Sequence, residues 1–292
     1  MQTARTITLC AERLTLDEPP RSRNFARNVS VAQEPPGLLI FYAFARELAH
    51  FRRKLENRSA ISIDGLRGFH GRINGVELAL VATGIGAMRA HIIARRALDA
   101  FPSAKMVISV GVAGALSEGL KPGDLVLADR MMLAGKDRSS VDCILPLVAE
   151  QVRSAERSLR SAGVRFATGA MLTANKILAN GAAKRVAKEQ SGAIAVDMES
   201  AALGLEAAAR ALPFICIRAV LDAVDDEIPA AELGGEDGQV RPLAATSFLI
   251  RHPGTILKLP KLMRNLSRAT AALAKALEAL AQNRSDGESY SE

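Results

Sequence analysis

Three carboxylates stand where the chain is most apolar. In the stretch VDMESAALGLEAAARALPFICIRAVLDAVDD, residues 196–226, Asp197 and Glu199 mark a strand-to-helix junction and Asp222 closes the apolar run Phe214 to Leu221. An acid beside a core strand is costly unless something pairs with it. Glu47 follows another apolar run, LLIFYAF. Glu47, Glu199 and Asp222 come from three separate elements, yet each would project from the same edge of one sheet. Acids converging on glycine-lined backbone suit a reaction that develops positive charge and needs proton transfer. Cleavage of a glycosidic bond through an oxocarbenium-like state is such a reaction. The plainer alternative makes Glu47 a surface residue of a helix and Asp222 a helix cap.

The elements that must position these acids alternate along the chain. LLIFYAF reads as a buried strand leading into the helix ARELAHFRRKLE, and GVELALVATGIG as a strand closing on a glycine turn before the helix AMRAHIIARRALDAF. KMVISVGVAGAL ends in a glycine-rich loop; KPGDLVLADRMM, VRFATGAMLTA, GAIAVDM and PFICIRAVLDA supply further strands, with helices near 145–162 and 198–211. This alternation predicts an α/β fold with a mixed, largely parallel central sheet flanked by helices. One domain spans residues 37–283, residues 1–36 read as an unstructured extension or the product of a start site placed too far upstream, and 284–292 as a disordered tail. The last helical stretch is expected to be broken by Pro253 and Pro260.

Open α/β sheets bind ligands at the C-terminal ends of their strands. Thr83-Gly84-Ile85-Gly86, Gly111-Val112-Ala113-Gly114, Arg46-Glu47, Asp197-Met198-Glu199 and Asp222 all fall there. A dinucleotide site is the obvious rival, but Gly84-x-Gly86 is followed by Arg89 where the third glycine belongs.

Composition removes other classes. The net charge is +7, but the basic residues are spread out, densest at Arg52 to Lys54 and Arg251 to Arg268, with no interleaved aromatics, so nucleic acid is not expected as a partner. Three dispersed cysteines and four histidines without ligand spacing predict neither a disulfide framework nor a metal, and no cofactor is expected. No apolar run reaches the length of a membrane span and no secretory signal pattern opens the chain, which predicts a cytoplasmic protein. Between Phe248 and Leu280, Arg251, Lys258, Lys261, Arg264, Arg268 and Lys275 stand among Leu, Ile and Ala residues, with no acid before Glu278. That pattern suits either a closing helix or an apolar, basic-rimmed approach to the site that rests on anionic lipid at the inner membrane face.

From Leu38 to Pro229 the order of TGIG, SVGVAGALSEGLKPGDLVLAD, AIAVDMESAA and IRAVLDAVDD resembles the nucleoside phosphorylase and methylthioadenosine/S-adenosylhomocysteine nucleosidase superfamily. The tail LIRHPGTILKLPKLMRNLSRATAALAKAL is similar to the end of hopanoid-biosynthesis-associated phosphorylases, which implies adenine release from adenosylhopane. The resemblance implies that Asp222 protonates N7 of the leaving purine, that Glu199 with Met198 holds the ribose hydroxyls, and that Glu47 activates water. It also implies that Thr83 meets the nucleophile and that Gly84, Gly86, Gly111 and Val112 line the substrate, a small nucleoside with or without a lipid at its 5′ end. A homo-oligomer is implied as well.

Several positions depart from the pattern. Leu221 replaces a Ser, Val112 a small polar residue, and ANKI at 174–177 lacks the aromatic that often stacks on the base. Ser109 stands where phosphorylases carry an Arg, which points to water, while Arg46 and Arg89 could serve phosphate as a candidate co-substrate. Soluble methylthioadenosine recycling and a non-catalytic nucleoside- or lipid-binding protein remain as alternatives.

Overall fold

The structure, a computed structural model, describes residues 36–63, 65–135, 141–228 and 254–288. All but the last residue of the expected extension, and residues 289–292 of the expected tail, lie outside it. In chain order the elements are β1 (Leu38–Tyr42), α1 (Ala49–Arg52), β2 (Glu56–Ile63), β3 (Leu66–Ile73), β4 (Val76–Ala82) and α2 (Ala87–Ala100). There follow β5 (Met106–Ala115), β6 (Leu125–Ala134), β7 (Val141–Pro146), α3 (Ala149–Ser161), β8 (Phe166–Thr173) and α4 (Gly181–Ser191). The last are β9 (Ala195–Asp197), α5 (Ser200–Ala209), β10 (Phe214–Asp222) and α6 (Gly254–Glu288).

One 10-stranded mixed sheet organises the chain. Strands β4, β1, β5 and β10 are successive parallel neighbours, so their C-terminal ends share one edge. Beyond β10 the sheet turns through β6, β8 and β9 and returns to β5, while β3 and β2 extend the other end as antiparallel strands. That antiparallel wing was not expected from the sequence.

Alternate side chains of the central strands serve opposite layers, as the two-residue period requires. Leu39, Phe41 and Val81 share a core with Ala87, Ala90, Ala94 and Ala97 of α2 and with α5, whereas Leu38, Ile40 and Tyr42 pack with Phe51 of α1, α3 and α6. The alanine stripe lets α2 lie close on the sheet. Helix α5 is buried from Ser200 to Ala207, which suits its nearly continuous apolar sequence, and it approaches so closely that a Cβ on Gly204 would stand 3.0 Å from Leu145 and 3.1 Å from Phe214.

Two expectations change. The helix expected over ARELAHFRRKLE is only four residues long, Ala49–Arg52, because the preceding turn is bent back by Glu47. Pro260 does not break the last helix: α6 runs through it and continues to Glu288, so residues 284–288 of the expected tail are helical backbone. Pro260 forfeits a single backbone hydrogen bond, and the burial of Asn265, Ala269, Thr270, Leu273 and Leu277 further along supplies the packing that keeps the helix whole.

Candidate active site

The end of β1 turns sharply, and the Glu47 carboxylate is what it turns around. Oε2 accepts the N–H groups of Ala43 at 2.7 Å and Phe44 at 3.0 Å; Oε1 accepts that of Val112 on β5 at 3.0 Å. Gly111 is required there, since a Cβ would stand 2.5 Å from Oε1. Burial pushes Glu47 above the ordinary carboxylate range, opposed by the Arg218 charge and by the N–H donors. The side chain is 2% exposed, so it is no surface residue of a helix.

Glu199 sits at the junction of β9 and α5, and its Oε1 accepts the N–H of Gly86 at 2.8 Å. Gly86, at φ +104°, is the N-cap of α2, so the carboxyl group meets the positive end of that helix. Burial first, and then the neighbouring Asp197 charge, push Glu199 up to about 8.

Asp197 itself is a structural anchor. It accepts the Thr173 hydroxyl at 2.8 Å, the Ser200 hydroxyl, the N–H groups of Glu199 and Ser200 at 3.3 Å each, and Nε of Arg218 at 2.8 Å. Arg218, buried on β10, also donates to Ser109 Oγ at 2.8 Å and to the Ile217 carbonyl at 3.1 Å. Its guanidinium is thereby fixed under the site, where its charge faces Glu47 and Glu199.

Asp222 ends β10 just after a register shift between Val220 and Asp222. The carbonyl of Leu221, inside that irregularity, accepts Nδ2 of Asn265 on α6 at 3.1 Å. A bulge of this kind re-aims the following side chain. Asp222 lies against Gly114, where a Cβ would be 3.1 Å from Oδ2. Gly111 and Gly114 are three residues apart on β5, so the Glu47 and Asp222 sites are separated by roughly 10 Å of strand. Burial raises Asp222, and the ammonium of Lys184, which donates to Oδ2, pulls the other way.

The structure therefore brings together Glu47, Glu199 and Asp222 around the glycines of β5 and the β4–α2 turn. Thr83 is buried and its hydroxyl meets the Gly84 carbonyl at 2.7 Å and that of Tyr42 at 3.2 Å. Gly84, Gly86, Val112 and Met198 are partly exposed around these acids, and Gly111 is buried beneath Glu47. Ser109 is fully buried, its hydroxyl shared with Ser200 at 3.1 Å and with Arg218. Arg46 is exposed and does not join the acids; its Nη1 lies 3.7 Å from Met263 Sδ on α6. Arg89 folds over Gly84.

The sequence reading overlooked Lys184 and Arg218. It also overlooked α4, the helix that carries Lys184, although its signals are local: Asn180 caps the start by accepting the Ala183 N–H at 2.9 Å, and Gly192 closes the end at φ +69°.

The fold has counterparts among known proteins. A 5′-methylthioadenosine/S-adenosylhomocysteine nucleosidase from Neisseria meningitidis, in complex with methylthio-immucillin-A, is 21% identical, covering 84% of this chain and 98% of its own with a TM-score of 0.65. A nucleosidase of the same description from Colwellia psychrerythraea, in complex with adenine, is 18% identical, covering 86% and 96%, with a TM-score of 0.67. A futalosine hydrolase mutant of Helicobacter pylori is 15% identical, covering 84% and 97%, with a TM-score of 0.65. At such identities the likeness is one of fold. The family match is broader in meaning: residues 38–249 match the phosphorylase superfamily, so the chain belongs to that superfamily and is an enzyme of it.

Proposed function

We propose that the chain cleaves the N-glycosidic bond of a 5′-substituted adenosine and releases adenine, with adenosylhopane as the substrate. One observation carries the bond-cleavage reading. Glu47, Glu199 and Asp222 are 2%, 7% and 4% exposed, and burial raises all three above the ordinary carboxylate range. Buried carboxyl groups whose hold on a proton is strengthened in this way suit proton transfer, for which a binding protein has no use.

As the bond from C1′ to N9 lengthens, Asp222 protonates N7, so that adenine leaves without negative charge. Glu199 bonds the ribose hydroxyls and, in its ionised form, offsets the developing sugar cation. Glu47 takes a proton from the nucleophile, which Thr83, Gly84, Gly86, Gly111, Val112 and Met198 help to place. Water fits this site better than phosphate: the Arg218 fork is committed to Asp197 and Ser109, Arg46 turns to Met263, and Glu47 would repel a dianion.

The lipid-linked substrate rests on the tail sequence and on α6. Against Arg46 this helix presents Met263, 47% exposed, flanked by Arg264 and by Lys261, which pairs with Asp226. A second reading, methylthioadenosine or S-adenosylhomocysteine as substrate, is favoured by the fold shared with nucleosidases of those compounds.

Adenine release from adenosylhopane, methylthioadenosine and adenosine, with and without phosphate, tests both. Turnover of adenosylhopane in plain buffer supports the first reading, and turnover of methylthioadenosine alone the second. Adenine from none of them, or full turnover by Asp222→Asn where about a 10²-fold loss is expected, refutes the mechanism.

A further inference from the structure

Lys184 is 0% exposed, a charged side chain sealed in the molecule next to Asp222. It reaches from α4 to the end of β10, where Nζ meets three oxygens: Asp222 Oδ2, the carbonyl of Ala223 at 2.6 Å and that of Asp226 at 3.3 Å. An ammonium has three protons, and here each has an acceptor.

The same contacts also suit a second arrangement. A neutral amine donates its two protons to the two carbonyls, and its lone pair accepts from a protonated Asp222. The arrangements differ only in where one proton lies between Lys184 and Asp222. In both, the pair has no net charge and the three contacts are satisfied, which matters most in a buried site.

The other charges nearby are already matched. Asp226 accepts Lys261 of α6 at 2.6 Å and the Ala223 N–H at 2.9 Å, and Arg185 of α4 pairs with Asp225. From β5, Gly114 brings no charge against Asp222.

We propose that Lys184 is a positioning residue that stores the proton Asp222 delivers to the leaving base, an inference that rests on the reading of Asp222 as the acid. When the bond from C1′ to N9 breaks, its electron pair stays on N9 and the one proton shared by the pair, drawn from Lys184 onto Asp222, passes to N7, which leaves a neutral amine beside the carboxylate. The amine keeps both carbonyl contacts. Water adds its hydroxyl to C1′ and loses a proton to Glu47, and that proton, returned through solvent, reloads the pair. The sum is addition of water across the glycosidic bond.

The test compares the full-length wild type with Lys184→Met, Lys184→Arg and Asp222→Asn. It measures kcat and KM for adenine release from adenosylhopane or methylthioadenosine, whichever is turned over, between about pH 5 and 9, the range that spans the groups involved. Lys184→Met should stay active at low pH, where Asp222 carries its own proton. Its alkaline limb should move to lower pH than that of the wild type, since no amine is left to resupply the proton that Asp222 delivers. Lys184→Arg keeps a cation that cannot give up a proton, so kcat should drop about 10²-fold at every pH with KM little changed. Circular dichroism confirms folding, and the Arg variant stands alone if the Met variant does not fold. A Met profile of wild-type shape that is merely lower, or an Arg variant with wild-type kcat, overturns the proton-store role. Wild-type turnover by Asp222→Asn would instead overturn the assignment of Asp222 itself.

Discussion

Gly111→Ala would separate the position of Glu47 from its chemistry, because it alters no ionisable group. Gly111 is not among the positive-φ glycines, so alanine fits the backbone. What it does not fit is the carboxylate: the new Cβ would stand 2.5 Å from Oε1, 3.1 Å from Cδ and 3.4 Å from Oε2 of Glu47. Non-bonded carbon atoms settle near 3.5–4 Å, so the carboxylate must retreat by about 1 Å. In retreating it weakens its bonds to the N–H groups of Ala43, Phe44 and Val112. A hydrogen bond to a charged group contributes about 1.5–3 kcal/mol, so the loss of one such bond sets the expected fall in stability. The fold should survive, since the clashing atoms are the far end of a flexible side chain. Activity should not: a misplacement of about 1 Å costs on the order of 10²-fold in kcat. Gly68→Ala is the contrast, since its Cβ would lie 1.8 Å from the Leu80 carbonyl oxygen, which is backbone and cannot step aside, and that variant should fail to fold. Initial rates of adenine release and thermal unfolding curves on the same preparations decide the matter. A folded Gly111→Ala enzyme with wild-type kcat would show that the seat of Glu47 on the Val112 N–H is irrelevant to the reaction.

Glu47→Gln should lower kcat about 10²-fold if water is the nucleophile and far less if phosphate is, so rates with and without phosphate discriminate the two. Glu199 ionises near 4.5 when unfolded and near 8 in the fold, so its contribution to stability is fully present below about 4.5 and is lost as pH rises toward 8. Unfolding free energies from urea titrations across that window should fall with a slope of up to about 1.4 kcal/mol per pH unit, and Glu199→Gln should flatten the slope. If α6 forms a lipid-facing approach, the protein should co-sediment with anionic vesicles at low salt and release at high salt; no binding at low salt sinks that idea. A homo-oligomer should cover Ile144 and Val148, which are 49% and 58% exposed, and light scattering that finds an active monomer at micromolar concentration would refute it.

What the sequence disclosed, and what it did not, follows from the range of each signal. Strands β1, β4, β5 and β10 are buried on both faces, so they read as continuous apolar runs and were legible. Strand β2, ENRSAISI, is exposed at every position from Glu56 to Ala60, and an edge hairpin of that composition has no apolar stripe to reveal it. Helix α1 was overextended because propensity favoured ARELAHFRRKLE, and a tertiary demand, the Glu47 carboxylate bonding back to Ala43 and Phe44, cut it short. The three acids were legible for a different reason: a carboxylate next to a core strand is an anomaly in the sequence itself. Their partners were not. Arg218 meets Asp197 across 21 residues and Lys184 meets Asp222 across 38, each pair on different elements. In sequence such cations look like any solvated Lys or Arg. Yet the anomaly carries information about them, because a buried carboxylate left unpaired costs several kcal/mol. Each acid placed beside an apolar run thus demands either backbone donors or a cation from elsewhere, and this chain uses both. Glu47 and Glu199 take N–H groups at the ends of β1, β5 and α2, while Asp197 and Asp222 take Arg218 and Lys184. The acid proposed as the proton donor is thus the one bound to a side chain proposed to resupply its proton, which an N–H donor in its place could not do.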